Sequence, residues 1–163
     1  MAGLPDIVRR VAEMSPVEDL LVAILRERLP GVHVQTLISN RQSWPLVLVR
    51  RMPQIGIWEG DARFVDQADV VIHCFAVDPD GDQDAAILAE AVRVSLRDAA
   101  AAKAGTPGIG YLVGFAMTSA PRRAPDFASA QGPVQYASLP DGVWRYETVY
   151  RVEIRRPRAR HIP

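Results

Sequence analysis

The most regular pattern in the chain lies near its end. From Val143 to Arg155, Trp144, Tyr146, Thr148, Tyr150, Val152 and Ile154 alternate with Arg145, Glu147, Arg151, Glu153 and Arg155, and only Val149 breaks the rule. Side chains on a strand point to opposite faces in turn. This period of two therefore predicts a strand in a sheet with one covered face and one wet or contact face. A second run, Ala68–Val77, does not alternate: it is almost continuously apolar, rich in β-branched residues and too short to span a membrane. It predicts a strand buried on both faces. The break that follows, Asp78-Pro79-Asp80-Gly81-Asp82, has the Pro and Gly of a turn and the carboxylates that suit a helix N-terminus. Beyond it, Ile87, Leu88, Ala91, Val92, Ser95, Leu96 and Ala99 recur at helical spacing, one stripe that can lie against the strand just left.

The remaining segments add layers to this strand–helix unit. Leu4–Met14 places Leu4, Ile7, Val8 and Val11 at helical spacing, with Pro5 suited to a first helical position. Ser15-Pro16-Val17-Glu18 has capping-box spacing, so Ser15 is expected to cap a helix running to Leu29 while Glu18 reaches back. Its stripe is Val17, Leu20, Leu21, Ile24 and Leu25, and Pro30-Gly31 ends it. Val32–Leu37 and Leu46–Arg51 read as strands, Ser39–Pro45 as a polar turn and Gln54–Trp58 as a continuation beyond Pro53. Glu59–Asp66 reads as an exposed loop carrying Phe64. Lys103–Gly110 is a Gly/Pro connector, Tyr111–Thr118 a strand, and Ser119–Leu139 a long irregular loop. The fold class expected is α/β: a single, mostly antiparallel or mixed β-sheet of four or five strands with helices packed mainly on one face. Residues 1–155 form one domain in this reading, and 156–163 a basic C-terminal tail.

Composition narrows the classes of function. The chain has 163 residues, is 48% apolar and carries a formal net charge of zero. That is enough for a sizeable core, and no global field argues for a nucleic-acid or acidic substrate. Arg supplies every positive charge but that of Lys103. Arg makes better bidentate contacts than Lys, which suits an interface protein. Cys74 is the only cysteine and sits in the apolar run, so it reads as a small core residue. No signal-peptide pattern and no uninterrupted apolar span of membrane length occurs, so a soluble protein made in the cytoplasm is expected.

Motifs that would carry chemistry fail on inspection. Asp78, Asp80 and Asp82 begin like a calcium loop, but Gln83 stands where Gly is needed and Ala89 where the closing bidentate Glu belongs. Gly105–Gly110 lacks a Gly-Lys-Ser/Thr ending and leads into a strand, with no helix N-terminus to hold an anion. His33, His73 and His161 are far apart, and the first two fall in strands as structural histidines. No nucleophile elbow or His-Glu-x-x-His occurs. The expectation is no catalytic residue, no metal and no cofactor. The C-terminus differs: Arg151, Arg155, Arg156, Arg158 and Arg160 against Glu153 give it a net charge of +4, which suits either a disordered solubilising end or contact with phosphates or an acidic partner surface.

Several stretches together resemble the tail terminator proteins of long-tailed bacteriophages. They are the helix Ser15–Leu29, the strand Pro45–Arg51, the strand Asp69–Val77 with the helix Ala86–Leu96, Gly114-Phe115, Pro125-Asp126 and the closing Trp144–Val152. The resemblance is one of pattern and order over most of residues 15–155. The Arg- and Ala-rich style is similar to that of phages of GC-rich, actinobacterial hosts. It implies a non-enzymatic virion protein, six copies of which ring the head-proximal end of the tail tube. Such a ring stops tube polymerisation and joins the tail to the neck. The implied partners are further copies of the chain, the tail tube protein, a head-neck connector or stopper protein, and double-stranded DNA passing through the lumen; no membrane is involved. A head-to-tail interface that closes by rotation would make such a ring.

On that reading Phe64, Arg122, Arg123 and Phe127 are loop candidates for contact with neighbours. Arg145, Glu147, Arg151 and Glu153 are strand candidates for the same interface. Arg155, Arg156, Arg158 and Arg160 are candidates for contact with a partner or passing DNA. Two alternatives stay open from the sequence: a head-closure or head-to-tail joining protein of the neck, and a small cytoplasmic α/β enzyme or ligand-binding regulatory domain.

Overall fold

A computed structural model describes residues 3–12, 14–38, 42–54, 56, 60, 61, 63–124 and 142–156. Its elements in chain order are α1 (Asp6–Val11), α2 (Val17–Arg28), β1 (His33–Gln35), β2 (Leu46–Met52), β3 (Val65–Val77), α3 (Gly81–Ala101), β4 (Gly105–Thr106), β5 (Gly110–Arg123) and β6 (Val143–Arg155). Among the described residues six strands form one sheet in the order β1-β2-β3-β6-β5-β4. β1 runs parallel to β2, and every other neighbouring pair is antiparallel. The sheet is thus mixed, as expected. It exceeds the expected four or five strands because β4 is a two-residue strand with no hydrophobic signature.

The two patterns that dominate the sequence are adjacent at the centre. β3 pairs with β6 along its whole length, from Val65↔Arg155 to Val77↔Val143. Their even-numbered residues, Ala68, Val70, Ile72, Cys74, Tyr150, Val152 and Ile154, meet α2 and α3 in one buried core. α2 contributes Leu20, Leu21 and Leu25, and α3 contributes Leu88, Val92 and Leu96. Fully burying each such Leu stabilises the fold by roughly 1.5–3 kcal/mol. On the opposite face Leu46, Leu48 and Phe75 form a second buried cluster, with Ile38, Trp44 and Val143 packed against it. Two covered faces explain why Ala68–Ala76 is buried without a break and does not alternate.

Local chemistry moves several boundaries. Ser15 does not cap α2: Pro16 is the N-cap residue, and no side chain bonds the helix start. Glu18 instead accepts a hydrogen bond at 3.0 Å from the backbone N–H of Arg51, so it serves the free edge of β2. On the same side of the sheet, the edge strand β1 is engaged by Arg26, which donates from Nε and Nη2 to the Val34 carbonyl at 3.0 and 2.7 Å. β3 begins at Val65, inside the expected loop, because its polar first turn finds partners across the sheet: Asp66 with Arg51 and Gln67 with Gln54 and Glu153. β5 continues to Arg123 through Pro121, with three register irregularities against β6. Pro is tolerated there because β5 is paired on one side only over that stretch among the described residues. The Lys103–Gly110 connector is the β4–β5 hairpin, which needs Gly108 at φ +84°. In α3, Ile87 faces solvent at 57% exposure and is not part of the buried stripe. Most of the Gln54–Trp58 continuation, the loop beyond Ala124, Phe127, Arg158 and Arg160 lie outside the described residues.

Candidate functional site

The sheet's antiparallel pairing gives the domain two ends. At one, β3 begins, β6 ends, and α2 begins near Arg51; at the other, β3 ends, β6 begins, and α3 starts. The candidate residues divide between these ends and the sheet face turned away from the helices.

That face carries the odd-numbered residues of β6, and the chain itself supplies their partners. Arg151 donates from Nε and Nη2 to the two carboxylate oxygens of Asp69 at 2.8 and 2.9 Å. Asp69 is buried, so this is a bidentate pair set into the sheet. Glu153 accepts from Gln67 Nε2 at 3.2 Å. Glu147 accepts from Arg122 Nη2 at 2.6 Å, and its other oxygen lies 3.7 Å from His73 Nδ1. Burial foremost, and the neighbouring Arg145 next, pull the His73 pKa down to about 4, although Glu147 acts in the opposite sense. The ring is therefore neutral at pH 7 and makes no ion pair with Glu147. Arg145 is itself buried, so the wet face expected from the alternation is narrower than the pattern suggests. Arg122, with a side chain 69% exposed, is the member of this row most open to a partner.

At the end where α3 starts, Arg123 lies 4.0 Å above the Trp144 ring, and its Nε is 3.8 Å from an Asp82 oxygen. Trp144 donates from Nε1 to Asp78 at 2.6 Å. The acidic turn that resembles a calcium loop is thus engaged with Trp144 and Arg123. Gly81 is needed under this indole: a Cβ there would collide with Trp144 Cδ1. At the opposite end the structure joins two distant candidates, since Arg156 donates its backbone N–H to the Phe64 carbonyl at 3.1 Å. Phe64 is 59% exposed, with Arg63 5.5 Å over its ring, and Arg155 and Arg156 are exposed beside it.

The sequence pattern did not point to an open apolar groove of about 450 Å³ between the C-terminus of α2 and the first half of α3, lined by Leu29, Val32, Trp44, Val77 and Ile87 among others. The sequence puts Trp44 in a polar turn and Ile87 in the stripe expected to be buried. The available signal was that Ile87 lies off the line through Leu88, Val92 and Leu96. Among the described residues no three His, Cys, Asp or Glu side chains gather to hold a metal ion, and no helix is long and apolar enough to cross a membrane. Burial pushes the Cys74 thiol well above its ordinary range, so it is a poor nucleophile. The arrangement is suited to non-covalent contact through charged, aromatic and edge-strand surfaces.

No family model and no curated protein matches the chain. Among solved structures, a chain of the "Virion of native gene transfer agent (GTA) particle" is similar, at 18% identity and a TM-score of 0.46, covering 85% of this chain and 94% of that chain. A likeness this shallow decides nothing about function.

Proposed function

We propose that the chain is a non-enzymatic structural protein of a phage virion, acting as a tail terminator. Copies associate head to tail into a closed ring, six in number as the sequence resemblance implies. The ring sits on the last layer of the tail tube, ends its polymerisation and presents its other rim to the neck. The observation that carries this reading is the outer edge of β5. Beyond the two residues matched by β4, no described strand pairs with β5 from Leu112 to Arg123. A long open edge is a ready site for another chain, and a repeated heterologous contact that closes by rotation gives a ring. Of the stretches that carry the resemblance, those within the described residues fall together: β2, β3 and β6 are successive strands, β5 carries Gly114-Phe115 next to them, and α2 and α3 cover one face.

On this reading Arg122, Arg123 and Phe64 lie at the two ends of the domain, where rim contacts would form, and Arg155 and Arg156 meet a partner or passing DNA. The deciding experiment is assembly with and without this chain, viewed by electron microscopy. Omission should yield headless tails with over-long tubes, and the labelled chain should appear at the head-proximal end of complete tails. Tubes of normal length without it, or label on the portal side of the neck only, would refute the assignment.

A further inference from the structure

The two sides of the sheet differ in what stands beside them. β5 leaves its outer edge unpaired by any described strand from Leu112 to Arg123. On the other side β1 is only three residues long, and it matches β2 no further than Gln35↔Leu48. Beyond that point Val49–Met52 of β2 has no described strand on this side.

Both halves of this edge are occupied by side chains of α2. In a parallel pair, alternate residues of a strand bond the partner. His33 donates its N–H to the Pro45 carbonyl, so Val34, the next residue, turns its carbonyl away from β2, where a further strand would supply an N–H. Arg26 supplies that donor twice, from Nε and Nη2. Extending the β1 register by two places would set Leu37 opposite Arg50 and bring its carbonyl to the Arg51 N–H. Glu18 Oε1 takes that bond instead, at 3.0 Å, and Leu37 stands 68% exposed. An acid thus takes the place of a strand's acceptor, and a base the place of its donor.

The spacing of the two side chains fits the edge. Glu18 and Arg26 lie eight residues apart on α2, about 12 Å at helical rise. Val34 is level with Val47, and Arg51 is four residues further along β2, about 13 Å at strand rise. Helix and edge therefore run side by side, with one side chain at each end. Between them is an open hollow of about 460 Å³, lined by Glu18, Asp19, Thr36, Leu37, Val49 and Arg51 among others. The backbone there is reachable, so the bonds made by the two side chains, and not bulk, keep another strand out.

We infer that Glu18 and Arg26 guard the β1–β2 edge against strand addition, and in particular against the β5 edge of a second copy, the long open edge that this chain itself carries. A chain with two open sheet edges can add to its own copies edge to edge without closing, which gives fibres. Blunting one edge removes that route and leaves β5 for contact with a different surface. The inference concerns the isolated chain and does not depend on the tail assignment.

The test uses the full-length chain in two preparations distinguished by a mass tag. One carries Leu37→Cys and the other Met117→Cys, both at exposed positions; Cys74 is buried and stays in place. They are mixed and treated with a short flexible bismaleimide, once with the guards intact and once with Glu18→Ala and Arg26→Ala in the Leu37→Cys chain. Each variant is first checked for native circular dichroism. If the double change unfolds the chain, Glu18→Ala alone opens the Arg51 end and is used instead. Removing the guards should raise the yield of product linking the two tags at least about tenfold. Glu18→Gln with Arg26→Lys keeps an acceptor and a donor in place and should return the yield to the parent's level. Equal yields with and without the guards, or a Gln/Lys yield as high as that of the alanine pair, would overturn the inference. So would an equal rise when Ile87→Cys, exposed on α3, replaces Met117→Cys, since that marks indiscriminate association. Electron microscopy that placed the chain away from the tail end would refute the tail function and leave the guards standing.

Discussion

His73 shows how far a single side chain's behaviour depends on partners that no local pattern displays. It faces Arg145 and Glu147 from β6, and Arg50 from β2 also acts on it. The folded-state pKa of about 4 lies below the unfolded value near 6.5. Between these values the unfolded chain binds a proton that the folded chain refuses, so stability falls as the pH drops from about 6.5 to about 4 and loses nothing further from this group below that. A shift of this size corresponds to about 3 kcal/mol across the window. His73→Gln should therefore lose less stability than the parent between pH 7 and pH 4.5, measured by urea unfolding at each pH. Equal losses in the two proteins would assign the acid sensitivity to other groups. The Asp69–Arg151 pair gives a second prediction. Arg151→Met should cost about 2–4 kcal/mol by removing the bidentate partner of a buried carboxylate, and Asp69→Val with Arg151→Met should recover at least half of that. The alternation of β6 put Arg145, Glu147, Arg151 and Glu153 on one face. It could not show that Asp69, 82 positions earlier, answers Arg151, or that Arg145 is buried.

Elements were legible where burial sets the period and obscure where polar side chains make the contacts. The β3 core, α2, α3 and β6 follow directly from apolar runs and stripes. The first three residues of β3 do not, because Asp66 and Gln67 look like loop until Arg51 and Glu153 lie beside them. Ser15 failed as a cap because Pro16 takes that place and Glu18 is drawn to the edge of β2. A similar cross-element constraint governs the start of α3. Replacing Gly with Ala inside a helix usually stabilises by about 1 kcal/mol. At Gly81 the new methyl would collide with the Trp144 ring, which Asp78 and Arg123 hold in place. Overpacking of this kind costs about 1–3 kcal/mol. Gly81→Ala should thus destabilise the fold by up to about 2 kcal/mol net, and Trp144 fluorescence should shift as the ring leaves its site. A gain in thermal stability with an unchanged spectrum would show that the indole can move at no cost.

At the scale of the molecule, sequence order alone leaves open which strands become neighbours. β6 inserts between β3 and β5, so the last strand stabilises the centre and β5 is pushed toward the rim. That placement turns an ordinary-looking segment into a long unpaired backbone edge among the described residues, and its role can be tested directly. Met117 lies on β5 opposite Tyr150 and is exposed, so a charge there disturbs nothing packed. Natural sheets use Lys at such positions to prevent pairing with another chain. Met117→Lys should leave the unfolding midpoint of the isolated chain unchanged, within the roughly 0.5 kcal/mol typical of surface substitutions. In assembly reactions the same variant should fail to close rings, and tubes should grow beyond their normal length. If it terminates tubes normally, the ring is built without the β5 edge. If it unfolds more readily in isolation, Met117 supports the monomer rather than a neighbour.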